Sequence, residues 1–405
     1  MTPEVKERIE QIRHGNVPEG YWKTAHGIAP NEWKQKPLVE VVDFLDDQRI
    51  PIKENERQSG QFPYYGASGI IDYVEDYIFD GEYILLGEDG ANILDRSSPL
   101  AFRVSGKCWI NNHAHVLRPK SGYHIDYLTN YLESLSYVKY NSGSAQPKLN
   151  QDTCQKLPVV CGRYSEQEKI ADIFSTQDKT IILKERLLAE KQRQKKYLMQ
   201  QLLTGKKRLP GFEGEWKQDK LGKLFAERSE TKCEHLELLA ITGTQGVIPR
   251  SQLDLKDNSS EDKSKYLRIC VGDIGYNTMR MWQGVSAYSN YEGIVSPAYT
   301  ILKPNSMINA KYFAYLFKMP DVVFMFYRFS QGLVDDTRNL KYENFKKISV
   351  TYPADIEEQN AIVAVLEKAD QEIELIRQSI EQEKQKKKAL MQLLLTGIVR
   401  VTTDK

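Results

Sequence analysis

The chain has 405 residues, with 56 Lys plus Arg against 55 Asp plus Glu and a net charge of +1, a length suited to two or three domains. That balance excludes a global basic field directed at nucleic acid or a membrane surface and leaves any such binding to local patches. The 40% apolar share excludes a disordered tail protein, no apolar run approaches the ~20 residues of a membrane span, and the charged start MTPEVKERIEQIRHG lacks the apolar core of an export signal, so a soluble, cytoplasmic protein is expected.

In chain order, residues 1–31 read as an extension made of a short helix and a loose arm. Residues 32–160 form a first variable block. In it EYILLG (Glu82 to Gly87), PLAFRV (Pro99 to Val104) and HVLRP (His115 to Pro119) set aromatic and branched residues between glycine turns, which predicts strands, and a short helix follows near Ile125 to Ser136. Residues 161–208 are helical: Ile170, Phe174, Ile181 and Leu188 recur on one seam in four- and three-residue steps, interrupted by Gln177 and Lys184. Gly205 stops that helix and Pro210 follows as a further breaker.

Residues 209–352 form a second variable block with a strand in SPAYTILKP (Ser296 to Pro304) and a short helix near Ala310 to Lys318. Residues 353–405 return to a helical seam of Ile362, Leu366, Ala369, Ile373, Ile376 and Ile380, with Leu390 and Leu394 falling back on it and Gly397 as the stop. The polar entries Lys191, Lys195, Glu383 and Lys387 predict a middle that is wet or meets another chain. About forty helical residues span roughly 60 Å, more than one small core requires, so the two helices are expected to pack on each other.

The strongest signal is duplication. Glu166 to Gly205 matches Glu358 to Gly397 without a gap at a shift of 192, both ending in K-K-x-L-M-Q-x-L-L-T-G. Glu32-Trp33-Lys34-Gln35 and Leu38 recur at a shift of 183, and Arg118-Pro119, Ser121 and Tyr127 fall on Lys303-Pro304, Ser306 and Tyr312 at 185. At that same shift Gly87-Glu88, Gly90 and Asn92 fall on Gly272-Asp273, Gly275 and Asn277, and Leu149 falls on Leu340 at 191, so the shift is expected to rise steadily along the chain.

Recognisable chemistry is sparse. No phosphate-binding glycine loop is present, since LLTGKK lacks the leading glycine and the hydroxyl residue, and no dinucleotide fingerprint or base-flipping methyltransferase string occurs. Glu32-Trp33-Lys34 and Glu215-Trp216-Lys217 have the acid-x-Lys form of some metal-dependent nucleases without an upstream paired acid. His113 and His115 have the spacing to share one face of a strand, but no third metal ligand stands at a matching spacing. The five cysteines, Cys108, Cys154, Cys161, Cys233 and Cys270, form no metal or disulfide pattern. The chain reads as a recogniser or scaffold and not as a catalyst.

Four features together resemble one family: FPYYGASGIIDYVEDYIFDGEYILLGEDGANI (Phe62 to Ile93), GDIGYNTMRMWQGVSAYSNYEGIVSPAYTILKP (Gly272 to Pro304), the LPGFEGEW entrance (Leu209 to Trp216) and the doubled LLTG helices. They are similar to the specificity subunit of type I restriction-modification enzymes over residues 32–400. The resemblance implies an α+β fold with two mixed, mostly β target recognition domains, separated by two long helices in an antiparallel coiled coil with an internal pseudo-twofold repeat. It implies that each recognition domain reads one half of a split, asymmetric duplex DNA target, about one helical turn or roughly 34 Å apart. It further implies that the chain binds no cofactor of its own and docks two modification (methyltransferase) subunits and, through them, restriction (translocase-nuclease) subunits. Those partners are expected to use S-adenosylmethionine, ATP and Mg. Alternatives are a specificity chain serving a fused methyltransferase-nuclease, a coiled-coil scaffold binding proteins, and a stand-alone nuclease.

The candidate DNA contacts are donors, acceptors and cations on turns. In the first block these are Tyr64, Tyr65, Gly66 and Ser68 on a glycine-punctuated turn suited to phosphate, then Gly90, Asn92, Asn111, Asn112 and His113, and the exit Ser144, Gln146 and Lys148. In the second they are Tyr276, Asn277, Met279, Arg280 and Trp282, where an amide suits adenine and a guanidinium suits guanine, then Tyr299, and the exit Arg328, Ser330 and Arg338. Trp282 is open to a core role, and both exits to a role as solvated connections.

Overall fold

The structure is a computed structural model that describes residues 2–143, 146–243, 245–253 and 262–402, with the backbone alone at position 336. The chain divides into two compact units, Met1–Glu185 with Gln378–Lys405, and Arg186–Arg377. The fold is mixed α and β. Among the described residues no helix is long and apolar enough to cross a membrane.

In the first unit, six strands lie in the order Val42–Phe44, Ala114–Pro119, Phe79–Gly87, Ala101–Ile110, Ser59–Gly66, Gly69–Val74. Side chains alternate across a strand. Ile84 and Leu86 therefore enter a core shared with Leu117 and with Tyr127 and Leu128 of the helix Ile125–Ser134, while Leu85 joins Val104, Cys108 and Val116 on the opposite face. Both faces of this central strand are buried, which explains its nearly continuous apolar sequence. The start and end of the block pair with each other, Lys34–Pro37 against Pro158–Cys161.

Residues 2–30 are ordered, contrary to the expected loose arm. The helix Pro3–Arg13 is capped by Thr2, and Tyr21–Thr24 pairs with Gly27–Pro30 as a hairpin. Arg8 donates to the Ile398 carbonyl, Tyr21 donates to the Gly397 carbonyl at 2.9 Å, and Arg400 pairs with both Glu32 and Glu166. Trp33, 3% exposed, donates to Glu166 at 3.0 Å. The extension is held because the end of the second long helix offers it free carbonyls and an arginine.

In the second unit, four strands lie in the order Phe225–Arg228, Tyr299–Pro304, Ile274–Asn277, Ser286–Tyr288. Trp216–Lys220 and Ser349–Pro353 pair the start and end of the block, as in the first unit. The helix Ala310–Leu316 covers the sheet through Tyr312 and Phe313. A further helix, Pro320–Phe329, was not expected from the sequence.

Strand register corrects the steadily rising shift. Leu117 faces Ile84, and in the second unit Leu302 faces Ile274, so those pairs stand 185 and 190 apart in the chain. Gly87 faces Ala114 and Asn277 faces Tyr299. Asn277 is thus the counterpart of Gly87, and the Gly87/Gly272 match is coincidental: Gly87 ends a strand, whereas Gly272 precedes one.

The long helices are Tyr164–Leu202 and Ile356–Leu394. In the first unit their segments run antiparallel, as Gln177 bonds Glu383, Lys184 pairs with Glu383 at 2.8 Å, and Lys387 pairs with Asp178 at 2.7 Å. In the second unit Lys191 pairs with Glu372 at 2.8 Å and Lys195 with Asp370, again antiparallel. The polar seam entries therefore find complementary partners on the other helix. Of the seam residues, Ile170, Phe174, Ile181, Ile362, Leu366, Ile373 and Ile380 are buried, and Leu188 and Ile376 are half-buried. Gly205 and Gly397 take φ of +70° and +66°, and the amide two residues beyond each returns to a carbonyl of the last turn, Lys207 to Gln201 and Val399 to Leu393.

Candidate nucleic-acid interface

In the first unit most candidates gather at one end of the six-stranded sheet. The strand Ser59–Gly66 turns through Ala67 and Ser68 into Gly69–Val74, and Gly87 packs beneath that turn: a Cβ there would stand 2.9 Å from the Ala67 carbonyl oxygen. The Asn111 amide donates to the Tyr65 carbonyl at 3.1 Å, and the Asn111 side chain accepts from the His113 amide at 2.8 Å. This turn leaves Asn112 and His113 exposed. His113 lies 2.8 Å from the Asp89 carboxylate, and the Gly90 amide donates to the Pro147 carbonyl at 3.1 Å, which brings Gln146 and Lys148 alongside. Ser144 lies outside the described residues.

Three candidates here serve the fold. Tyr64 is 1% exposed, with its hydroxyl accepting from the Ile52 amide and the Arg57 guanidinium over its ring, so it is a core residue. The buried Asn111 holds its own turn, and Asn92 holds the next one by accepting from the Ser98 amide at 2.9 Å. Tyr65 and Gly66 stay at the hairpin through their backbone, and Ser68, Asn112, His113, Gln146 and Lys148 present exposed side chains.

Beneath this patch lies a charge network that sequence reasoning missed. His115, 1% exposed at its side chain, has Nδ1 2.6 Å from Asp46 and Nε2 2.8 Å from the Leu149 carbonyl oxygen. Both neighbours only accept, so both ring nitrogens carry protons and the ring is an imidazolium. Burial opposes that charge most strongly, but the Asp46 carboxylate and the Cys154 sulfur together outweigh it and the pKa rises to about 10. Arg49 joins Asp46 to Glu88, at 3.6 and 2.8 Å, and Lys148 reaches Glu88 at 3.3 Å. The carboxylates under the patch are thus neutralised and leave it open to an anion. His113 and His115 do not converge: one faces outward to Asp89 and the other inward to Asp46.

In the second unit the strand Ile274–Asn277 ends in a turn closed by the Asn277 side chain, which accepts from the Met279 amide at 2.9 Å. Met279 and Arg280 stand exposed on it. Trp282 is half-buried, donates to the Met279 carbonyl at 3.0 Å and meets Tyr327 edge-on at 6.3 Å. One edge of its ring packs while the rest borders the surface. Arg338 lies 4.0 Å above the Tyr327 ring, donates to its hydroxyl and pairs with Asp335 at 2.9 Å. Arg280 and Arg328 are exposed, with no side-chain partner among the described residues.

Tyr276 and Tyr299 are corrections. Tyr276 is fully buried and stacked on Phe345 at 5.4 Å, and the half-buried Tyr299 donates to the Ile241 carbonyl. Arg328 sits in the last turn of Pro320–Phe329, not in a flexible exit, and Ser330 caps that turn by donating to the Phe326 carbonyl at 2.7 Å. The sequence signal for this helix was Pro320, a favoured first helical residue, followed by the apolar run VVFMF.

The sequence matches the profile of the type I restriction modification DNA specificity domain over residues 30–192 and 247–385. The chain belongs to the type I restriction-modification specificity family. This specificity subunit is 28% identical over 354 residues to a Haemophilus influenzae chain named as a type I restriction enzyme specificity subunit, covering 83% of this chain and 87% of that one. It is 31% identical over 150 residues to the EcoprrI specificity subunit of Escherichia coli, 36% of each chain. Its fold is similar to the crystal structure of the type I restriction-modification S subunit from M. genitalium, with a TM-score of 0.57 at 13% identity, covering 92% of this chain and 97% of that one. In this specificity subunit one patch is carried by the block that precedes the first long helix and the other by the block between the two long helices.

Proposed function

We propose that this subunit reads a split, asymmetric duplex DNA sequence, with one half-site per variable block, residues 32–160 and 209–352. The observation that carries this reading is the pair of exposed polar and cationic patches, each built on the turns at the end of a block's main sheet. Arg280, with no protein partner among the described residues, is suited to a guanine edge, and Lys148 with the backbone turns is suited to phosphate. The helical stretches 161–208 and 353–405 act as an antiparallel coiled-coil spacer and dock two modification subunits, through which restriction subunits join. Methyl transfer and ATP-driven cleavage, with S-adenosylmethionine, ATP and Mg, belong to those partners, and this chain supplies recognition without catalysis in the cytoplasm.

The test is single-molecule methylome sequencing of a host carrying the gene with its partners, beside a host lacking only this gene. N6-methyladenine at one split motif, lost with the gene, is the expected result. An active system in which no motif depends on the gene would overturn the proposal.

A further inference from the structure

The loop after Pro320–Phe329 carries an apolar tip. Leu333 is 99% exposed and Val334 is 59% exposed, beside one another at the turn. The turn is not slack. Gln331 and Asn339 exchange both backbone hydrogen bonds at 2.8 Å, and Gly332 takes φ +126° with the Thr337 carbonyl oxygen 2.6 Å from where a Cβ would stand. The Thr337 amide and hydroxyl both donate to the Val334 carbonyl at 3.0 Å. A side chain that contributes nothing to the core is thus held outward by a hydrogen-bonded frame.

The tip runs on into Asp335 and Asp336 in sequence, and the cations stand at the base of the loop. The Leu340 amide donates to the Thr278 carbonyl at 2.8 Å, which sets the loop base beside the Met279-Arg280 turn. Arg328 stands on the preceding helical turn and Arg338 at the returning strand, where it takes up the nearby Asp335. An apolar tip on a loop whose base is flanked by Arg280 and Arg328 matches duplex DNA: phosphates take the cations while the apolar side chain enters between stacked bases. A purely apolar protein pocket would leave Arg280 and Arg328 unanswered.

We propose that Leu333 is a wedge that enters a base step beside the half-site read by the second block, unstacking it and bending the duplex. The inference rests on the reading of this chain as a DNA-recognition subunit and adds to it a deformable step, for which pyrimidine–purine steps are the least costly.

The test uses the chain assembled with its modification partners and duplexes carrying the methylated motif, with 2-aminopurine placed at successive positions across and beside it. The wild-type complex is expected to raise fluorescence at one step. Leu333→Ala is expected to abolish that rise and weaken binding about tenfold while methylating the same adenines, and Leu333→Phe to keep the rise. If the wild-type complex binds and methylates its motif with no position brightening, or if Leu333→Ala leaves the rise intact, the wedge is wrong and recognition stands. If Leu333→Ala instead impairs assembly in the absence of DNA, the tip docks a protein and the wedge is overturned. A complex without sequence preference would remove both the recognition reading and the wedge.

Discussion

At the scale of single residues, the two patches differ in how they hold charge. Arg280 is free of protein partners among the described residues, so Arg280→Gln should leave folding intact and relax one base position by about 1–3 kcal/mol of discrimination, seen as degeneracy at one position of a single half-site in methylome data. Lys148→Gln should instead weaken binding uniformly and reduce the salt slope by about one, measured by titrating the complex over a range of salt. His115 supplies the pH dependence. Its folded pKa of about 10 lies above its ordinary 6.5, so its stabilisation is complete below pH 6.5 and is lost as pH rises through about 10. His115→Gln takes the imidazolium from the buried Asp46, which keeps only the Arg49 guanidinium at 3.6 Å, at a cost of about 3 kcal/mol. Urea unfolding at pH 6 and pH 10 should show a large loss in the variant at the lower pH and a smaller one at the higher.

At the scale of elements, the long helices combine apolar ends with a charged middle. Leu366 is fully buried in the second unit's core, and Leu366→Ala should cost about 2–5 kcal/mol in denaturant titration. Glu383 is held down at about 2 by Lys184, then by Gln177, so its favourable contribution is present above pH 4.5 and fades as pH falls through about 2. Reversing Lys184 to Glu should lower the thermal midpoint, and adding Glu383→Lys should restore much of it. These helices were legible because a heptad-like seam and two terminal glycines are local signals. The strands EYILLG and SPAYTILKP were legible for the same reason. The charge network was not, because Asp46, Arg49, Glu88 and His115 meet only through strand pairing. Tyr64 and Tyr276 misled because a tyrosine next to a glycine turn looks the same in sequence whether its ring faces out or in. The Gly87/Gly272 match failed similarly, since a short glycine-acid string carries no register.

At the scale of the whole molecule, the near-zero net charge gives no indication of DNA, and the exposed Arg280, Arg328 and Lys148 show how a neutral chain can still present cationic points. Because those points lie in different blocks, Arg280→Gln and Lys148→Gln should combine additively within about 0.5 kcal/mol.

The first unit is built from both ends of the chain, Met1–Glu185 and Gln378–Lys405, whereas the second is one uninterrupted stretch. During synthesis on the ribosome, the later block therefore has all its residues first. Ile170 and Phe174 must wait for Leu394 and Leu395 at the end of the second long helix, far later in the chain. A nascent chain stalled before that point keeps an open apolar surface for chaperones or proteases. Loss of Leu394 and Leu395 is then a lesion of the N-terminal half, because the first unit's core closes only once the end of the second long helix has been made.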